Sequence, residues 1–331
     1  MHAKFVPPAD VSSLTPEQFV NVKTEHDVLT ALRTLDHEIH PLAVTDDLSP
    51  LREAHKDWKP DIVFNLVEDF RGDPLLDQNV VSYLELMGVP YTGCGPRGLI
   101  LARDKALSKK LLAYHRIPVP EFTVIRPGRK ATLPKRLGFP LIVKSLFFEA
   151  SAGISQASVV ENADQLEKRA AFIHDTLGTA AIAEQFIDGR EIYVGVIGNE
   201  RLEVLPAWEM SFAGMADNRW RIATERVKWS TKYQKKHGIM TDRARLDSTM
   251  IDRLQRMAKR VYRALDLNGY ARIDLRMDED DRIYVLEANP NPNMAYGEDF
   301  SESAEASGIS YERLLDRIIA LGRRWEPART G

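Results

Sequence analysis

The sequence predicts an α/β protein, with a small parallel-sheet domain followed by two lobes of mixed helix and strand. Three observations predict it. Residues 21–92 alternate helical and strand-like runs, residues 122–196 interleave strands with one long helix, and residues 271–289 read as a two-faced hairpin. The bulk composition agrees: 331 residues, 44% hydrophobic and 28% charged, are ordinary for a globular chain with about two domains' worth of core. A formal charge of −3 gives no general pull toward nucleic acid or anionic membrane. No apolar run approaches the roughly 18–20 residues of a membrane span, and no signal-peptide core opens the chain. A lone Cys94 excludes an internal disulfide framework and suits the cytoplasm; in its Gly-rich turn it reads as a small packing residue, not a catalytic thiol.

The elements follow in order. Met1–Pro8 is short and proline-broken where a first buried strand is expected, and helix 21–36 has no strand to cross from. The expectation is that the chain starts after, or inside, the first strand of this domain. Glu38–Val44 and Asp61–Leu66 read as strands, Gln78–Gly88 as a helix with Val80, Val81, Leu84 and Met87 in a stripe, and Val89–Thr92 as a short strand. Asp104 caps a helix over Lys105–His115, which Ile117-Pro-Val-Pro ends. Strands at Phe122–Ile125 and Leu141–Val143, a helix at 162–177 and strands at 181–186 and Ile192–Val196 come next. Residues 211–245 are polar and weakly periodic and read as a long functional loop with short elements. Ser248–Leu265 is the strongest helix, with Ile251, Leu254, Met257, Val261 and Leu265 at helical spacing, and Ser310–Leu321 is the last. There is no internal repeat and no low-complexity tract.

The hairpin carries the sharpest chemistry. Ile273, Leu275 and Met277 alternate with Arg272, Asp274 and Arg276, and Glu287 and Asn289 lie two apart on the return strand. Two carboxylates and an amide, backed by Arg272, suit Mg²⁺ held jointly with substrate phosphates. A merely solvated polar face is the competing reading, which the rigid Asn-Pro-Asn-Pro corner opposes. Lys144 ends an apolar strand and delivers its cation either to a cleft or, by snorkelling, to solvent. The small-residue run Glu149-Ala150-Ser151-Ala152-Gly153 is either a phosphate cradle or a plain turn. Lys228 sits among Arg221, Arg226, Lys232, Lys235 and Lys236, a solvated basic face and not a nucleic-acid patch. The eight histidines show no metal-ligand spacing.

VFN (63–65), GVPYTGCGP (88–96), Asp104-Lys105, LIVKSLFFEASAGIS (141–155), AEQFIDGRE (183–191) and ARIDLRMDEDDRIYVLEANPNPN (271–293) occur in this order. The set resembles the ATP-grasp superfamily, most closely its D-alanine–D-alanine ligase branch, over about residues 60 to 325. The resemblance implies an N-terminal Rossmann-like domain (1–100), a central lobe (101–190) and a C-terminal lobe (191–325), with ATP between the lobes. It implies phosphate contacts from Lys105 and Lys144 and adenine contacts from the backbone of Glu184, Gln185, Phe186 and Ile187. Glu191 would take the ribose. Asp274, Glu287 and Asn289 would hold two Mg²⁺ (or Mn²⁺), with Glu287 bridging. Lys228, Arg272 and Ser151 form the implied catalytic group, Arg272 stabilising an oxyanion. The implied reaction is ATP-driven joining of a small-molecule carboxylate to an amine through an acylphosphate.

Departures from that branch concern the substrates. Its LHG histidine is Glu68 here, its first-amino-group motif EVS has no counterpart, and the glycine of its NTxPGM motif is Asn293. The motif that grips the second alanine carboxylate is replaced by a stretch carrying Glu298 and Asp299, which repel a carboxylate and favour an amine or a cationic group; an acidic solvated turn is the plain alternative. The expectation is a cytoplasmic carboxylate–amine ligase acting on an amino acid, peptide or related amine, with a homodimer by analogy alone. A true D-alanine–D-alanine ligase, or a phosphotransferase or nucleotide-binding module, stands as the alternative.

Overall fold

The computed structural model describes residues 1–327 apart from Ala9, Ala150, Asp217 and Asn218. An N-terminal layer holds α1 (Pro16–Thr34), α2 (Ser49–Asp57), α3 (Asp77–Met87) and α4 (Pro96–Arg103). Next come α5 (Lys105–Tyr114), β1 (Phe122–Ile125), β2 (Leu141–Ser145), β3 (Val159–Val160), α6 (Ala163–Leu177) and β4 (Ala181–Gln185). The remainder contains β5 (Arg190–Ile197), β6 (Glu203–Val204), β7 (Trp208–Phe212), α7 (Glu225–Trp229), α8 (Thr231–Lys236) and β8 (Ile239–Arg243). It ends with α9 (Ser248–Ala264), β9 (Tyr270–Met277), β10 (Ile283–Pro290), α10 (Asp299–Glu305) and α11 (Tyr311–Arg323).

Two antiparallel sheets organise the molecule. One runs β1-β4-β2-β3, and the other runs β10-β9-β5-β7-β8 with β6 beside β5. The smaller sheet packs Leu141, Val143, Ala181 and Ala183 against Leu166, Ala170 and Ile173 of α6. The larger sheet turns Ile273, Leu275 and Val285 onto Leu254, Ala258 and Val261 of α9. Each fully buried aliphatic side chain there stabilises by roughly 1.5–3 kcal/mol, so packing rather than helix propensity holds α9. Asp104 caps α5 as expected, accepting from the Ala106 and Leu107 amides.

Several expectations change. No strand forms over Glu38–Val44: the segment is bonded to Met1, whose N–H donates to Leu42 O and whose carbonyl accepts from Val44 N, and an apolar cavity of 320 Å³ lies beside it. A strand needs a neighbouring ladder, and 38–44 lacks one. The strands expected at 61–66 and 89–92 shrink to one parallel bridge, Val63 with Tyr91. Residues 211–245 are more ordered than a long loop, because β7 and β8 pair from Trp208–Arg243 to Phe212–Ile239. The helix expected at 21–36 starts earlier, where Thr15 and Gln18 form a capping box. Helices α2, α4 and α10 have no counterpart in the sequence reading.

Candidate active site

The cleft between the sheets is built from five segments: the start of α5, the end of β2 with its following loop, the β4–β5 connection, α7, and the β9–β10 hairpin. Helix α5 contributes Lys105 and Lys109, one turn apart on one face. The Lys105 ammonium donates to Phe148 O at 2.7 Å and stands 3.9 Å from Glu287. Lys144 leaves β2 into the same space, 3.3 Å from Glu184, so the buried-cleft reading of Lys144 holds over the snorkelling one. Glu184 is wholly buried, with Lys109 3.5 Å from its other oxygen. Two lysines thus share one carboxylate. Burial alone would lower the Lys144 pKa, but Glu184 and Glu287 carry it above the ordinary lysine value. Burial brings Lys109 down to about 8 against the opposing pull of Glu184.

The hairpin differs from a regular ladder in one decisive way. Val285 pairs with Leu275, and the next pair is Glu287 with Asp274, so Leu286 is an extra residue in a β-bulge. In an unbroken strand Glu287 would share the face of Ile283 and Val285, which is the core face. The bulge moves Glu287 to the polar face opposite Asp274, and Asn289 follows opposite Arg272. The sequence reading put these residues together correctly but missed the parity conflict with Ile283 and Val285, the available signal for the bulge. The Leu286 carbonyl accepts from Lys109 Nζ at 2.5 Å.

Arg272 grips Asp274 with both arms, Nε to Oδ1 at 2.8 Å and a terminal nitrogen to Oδ2 at 2.9 Å, and lies 4.7 Å over the Tyr193 ring. Burial pushes the Asp274 carboxyl up against the pull of Arg272. Burial would also raise Glu287, but Lys105, Lys144, Lys228 and Lys109 together bring it down to about 2. Among the described residues no three His, Cys, Asp or Glu side chains form a self-sufficient metal cage. Two facing carboxylates with a neighbouring amide are instead a partial oxygen set of the kind Mg²⁺ completes with phosphate oxygens. Asn289 Nδ2 is buried without a partner, which the opposite amide orientation would relieve by turning the oxygen toward a cation. The residues fit the ion.

At the far wall, Gln185, Phe186 and Ile187 line the cleft, but the Gln185 and Phe186 amides already donate to Glu121 O and Pro140 O, so these two are not on offer to a base. Glu191 accepts from Tyr193 Oη at 2.8 Å and from Arg276 at 2.7 Å. Arg276, missed in the sequence despite alternating with Asp274, also donates to the Ile187 carbonyl at 3.3 Å and to the Arg221 carbonyl at 2.6 Å. Gly189 turns the chain here with φ +145°; a Cβ would sit 2.0 Å from Met277 O. Ser151, at φ +61°, donates to Ala223 O at 2.7 Å and so ties its loop to the segment before α7; Ala150 of that loop lies outside the described residues. Lys228, on α7, lines the cleft.

The substrate candidates occupy two places. Glu298 and Asp299 stand at the start of α10; burial raises both carboxyls, Asp299 against the pull of Arg272 and Lys228. Glu68 lies in the N-terminal part of the chain, where burial and then Glu149 raise it against Arg103. No ion pair or hydrogen bond joins Glu68 to Glu298 or Asp299 among the described residues. Asn293 accepts from Thr24 Oγ1 at 2.9 Å and so faces α1, while Asn291 accepts from the Cys94 amide at 2.8 Å. The Cys94 thiol is fully buried and pushed up to about 12, consistent with a packing role.

Comparison with known proteins places this geometry. The model of the D-ala D-ala ligase C-terminus matches residues 111–320. A D-alanine–D-alanine ligase of Desulfotalea psychrophila is 31% identical over 88% of this chain and 87% of its own length. The uncharacterized protein y4sG of Sinorhizobium fredii is 30% identical over 93% of this chain and 90% of its own. A crystal structure of the Bacillus anthracis D-alanine–D-alanine ligase complexed with ATP superposes with a TM-score of 0.74, covering 94% of this chain and 95% of that one at 24% identity. Two antiparallel sheets closing on a lysine-lined cleft are thus the ATP-grasp fold, here in an ATP-using enzyme that forms C–N bonds. The chain belongs to the D-alanine–D-alanine ligase family.

Proposed function

We propose that this enzyme joins a carboxylate to an amine-bearing or cationic partner other than a second D-alanine, with Mg²⁺ held by Asp274, Glu287 and Asn289. The observation that carries it is a contrast of charge around Arg272: Lys105, Lys144, Lys228 and Lys109 act on Glu287, while Asp299, beside Glu298 at the start of α10, is a carboxyl that Arg272 and Lys228 act on. When bound there, Mg²⁺ supplies charge neutralisation for the phosphates. Lys105, Lys144 and Lys228 hold the phosphate oxygens, and the Gln185–Ile187 connection, with Glu191, seats the nucleoside. Ser151 anchors the covering loop through Ala223.

The substrate carboxylate attacks the γ-phosphorus, the bond to ADP breaks, and an acylphosphate forms. The amine then adds to the acyl carbon, loses its proton and expels phosphate. Arg272, fixed by Asp274 and Tyr193, faces the oxyanion of that addition. Glu298 and Asp299 receive the cation of the incoming partner, and Glu68 and Asn293 border the first substrate. We carry a three-part division near residues 100 and 190, a homodimer and a cytoplasmic location as parts of the same proposal; among the described residues no helix is long and apolar enough to cross a membrane.

The test is ADP release with Mg·ATP across pairs of amino acids, small peptides and polyamines, D-alanine included, with product masses recorded. Release that needs both a carboxylate and an amine is expected. Release with D-alanine alone and a dialanine product overturns the substrate reading, and a phosphorylated product without amine makes the enzyme a phosphotransferase. Light scattering of the purified protein tests the dimer.

A further inference from the structure

We infer that Lys109 is a positioning residue of this enzyme: it holds the Leu286 bulge open and thereby sets Glu287 opposite Asp274. The inference rests on the metal reading above. Lys109 is among the largest fully buried side chains of the chain, at 1% exposure, and it lies on α5 rather than on either sheet. Its ammonium has two partners on separate sheets: the Leu286 carbonyl of β10 at 2.5 Å, and Glu184 of β4 at 3.5 Å.

The physical argument concerns the bulge. Leu286 has no partner residue on β9, so its backbone falls out of the register that satisfies its neighbours. An unmet buried carbonyl costs free energy comparable to a lost hydrogen bond, and a ladder that closes up would recover it. Closing up, however, returns Glu287 to the face of Val285, among Leu275 and Ile273, where a carboxylate cannot remain charged and cannot meet Asp274. A donor on the Leu286 carbonyl removes the drive to close. The adjacent Val285 amide is answered by Pro118 O at 2.9 Å, so groups from α5 and the turn after it brace both sides of the irregularity. Placing an ammonium there has a second effect: it gives Glu184, fully buried with no hydrogen bond to either oxygen, a lysine at 3.5 Å on one oxygen to match Lys144 at 3.3 Å from the other. One ammonium therefore connects the metal strand to the sheet that carries the phosphate lysine.

The experiment compares Lys109→Met and Lys109→Gln with wild type in full-length protein. Mn²⁺ binding is followed by electron paramagnetic resonance with a non-hydrolysable ATP analogue, alongside analogue affinity, kcat and KM for ATP, and thermal unfolding. For Met we expect Mn²⁺ affinity to fall about 10–100-fold, the range typical of groups that orient metal ligands, and kcat to fall with it. Analogue affinity without metal should stay within about threefold, because Lys105 and Lys144 remain. Gln keeps an N–H donor without the charge, so it should retain several times more Mn²⁺ affinity than Met. Wild-type Mn²⁺ affinity in a folded Met variant overturns the inference, as does equal loss in Gln and Met. If Met does not fold, Gln decides: wild-type-like affinity at undiminished analogue binding supports the bulge role, and a Gln variant that loses analogue and Mn²⁺ binding in parallel overturns it. If wild type itself binds no Mn²⁺ beside the analogue, the metal reading fails first, and the inference with it.

Discussion

The two sides of the proposed site are built on opposite principles. On the proposed ATP side, Lys105, Lys109, Lys144 and Glu184 are nearly or wholly buried and come from α5, β2 and β4, with Lys109 and Lys144 sharing Glu184. On the proposed substrate side, Glu68, Glu298 and Asp299 are more open to water than Glu184, although partial burial still raises all three carboxyls. Buried charges are tolerated only in a complete set, so removing one strands the others. Rim charges are independent and can be exchanged at little cost to the fold. Under the proposed function, the buried set serves the nucleotide and the more open carboxyls serve the incoming substrate.

Breaking the ATP end should have the largest effects. Glu287→Gln should leave the fold intact and lower turnover by on the order of a thousandfold, measured as ADP release; near-normal ADP production would refute the metal assignment. Lys144→Met should raise KM for ATP by about 10–100-fold and also destabilise the chain, because Glu184 would keep only Lys109. An unchanged melting temperature would show that Glu184 does not depend on Lys144.

Changes at the substrate end should be selective and smaller. Glu298→Gln and Asp299→Asn should raise KM for the amine by about tenfold and leave KM for ATP within about twofold. Equal effects on both substrates would remove these residues from the amine subsite.

The smallest effect concerns α1, behind the substrate rim. Burial, with Glu68 adding to it, raises Glu25 from 4.5 to about 7. A raised carboxyl pKa means that the folded state holds its proton while the unfolded state ionises. Stability therefore falls as pH rises from 4.5 to about 7 and is level beyond. Glu25→Gln should add about 1–2 kcal/mol at pH 8, discounted for partial water access, and nothing at pH 4. Urea unfolding at both pH values checks this, and an equal gain at both would discard the buried carboxyl as its source.

Much of this was legible along the chain because it depends on local periodicity. The α5 cap at Asp104, the β1 run and the stripe of α9 are local features, and the alternation of Arg272, Asp274 and Arg276 is as well. What the tertiary structure alone decided is which groups share a partner. That Lys109 reaches the Leu286 carbonyl 177 positions away, that Asn291 clamps the Cys94 amide, and that Arg276 ties Glu191 to the Ile187 carbonyl of the β4–β5 connection are long-range contacts with no local pattern. The expected strand at 38–44 is not one, because a strand depends on a neighbour and not on its own residues. The bulge belongs to both sides: its parity conflict is written in Ile283, Val285 and Glu287, but the direction of its resolution depends on a buried cation that only the fold brings there.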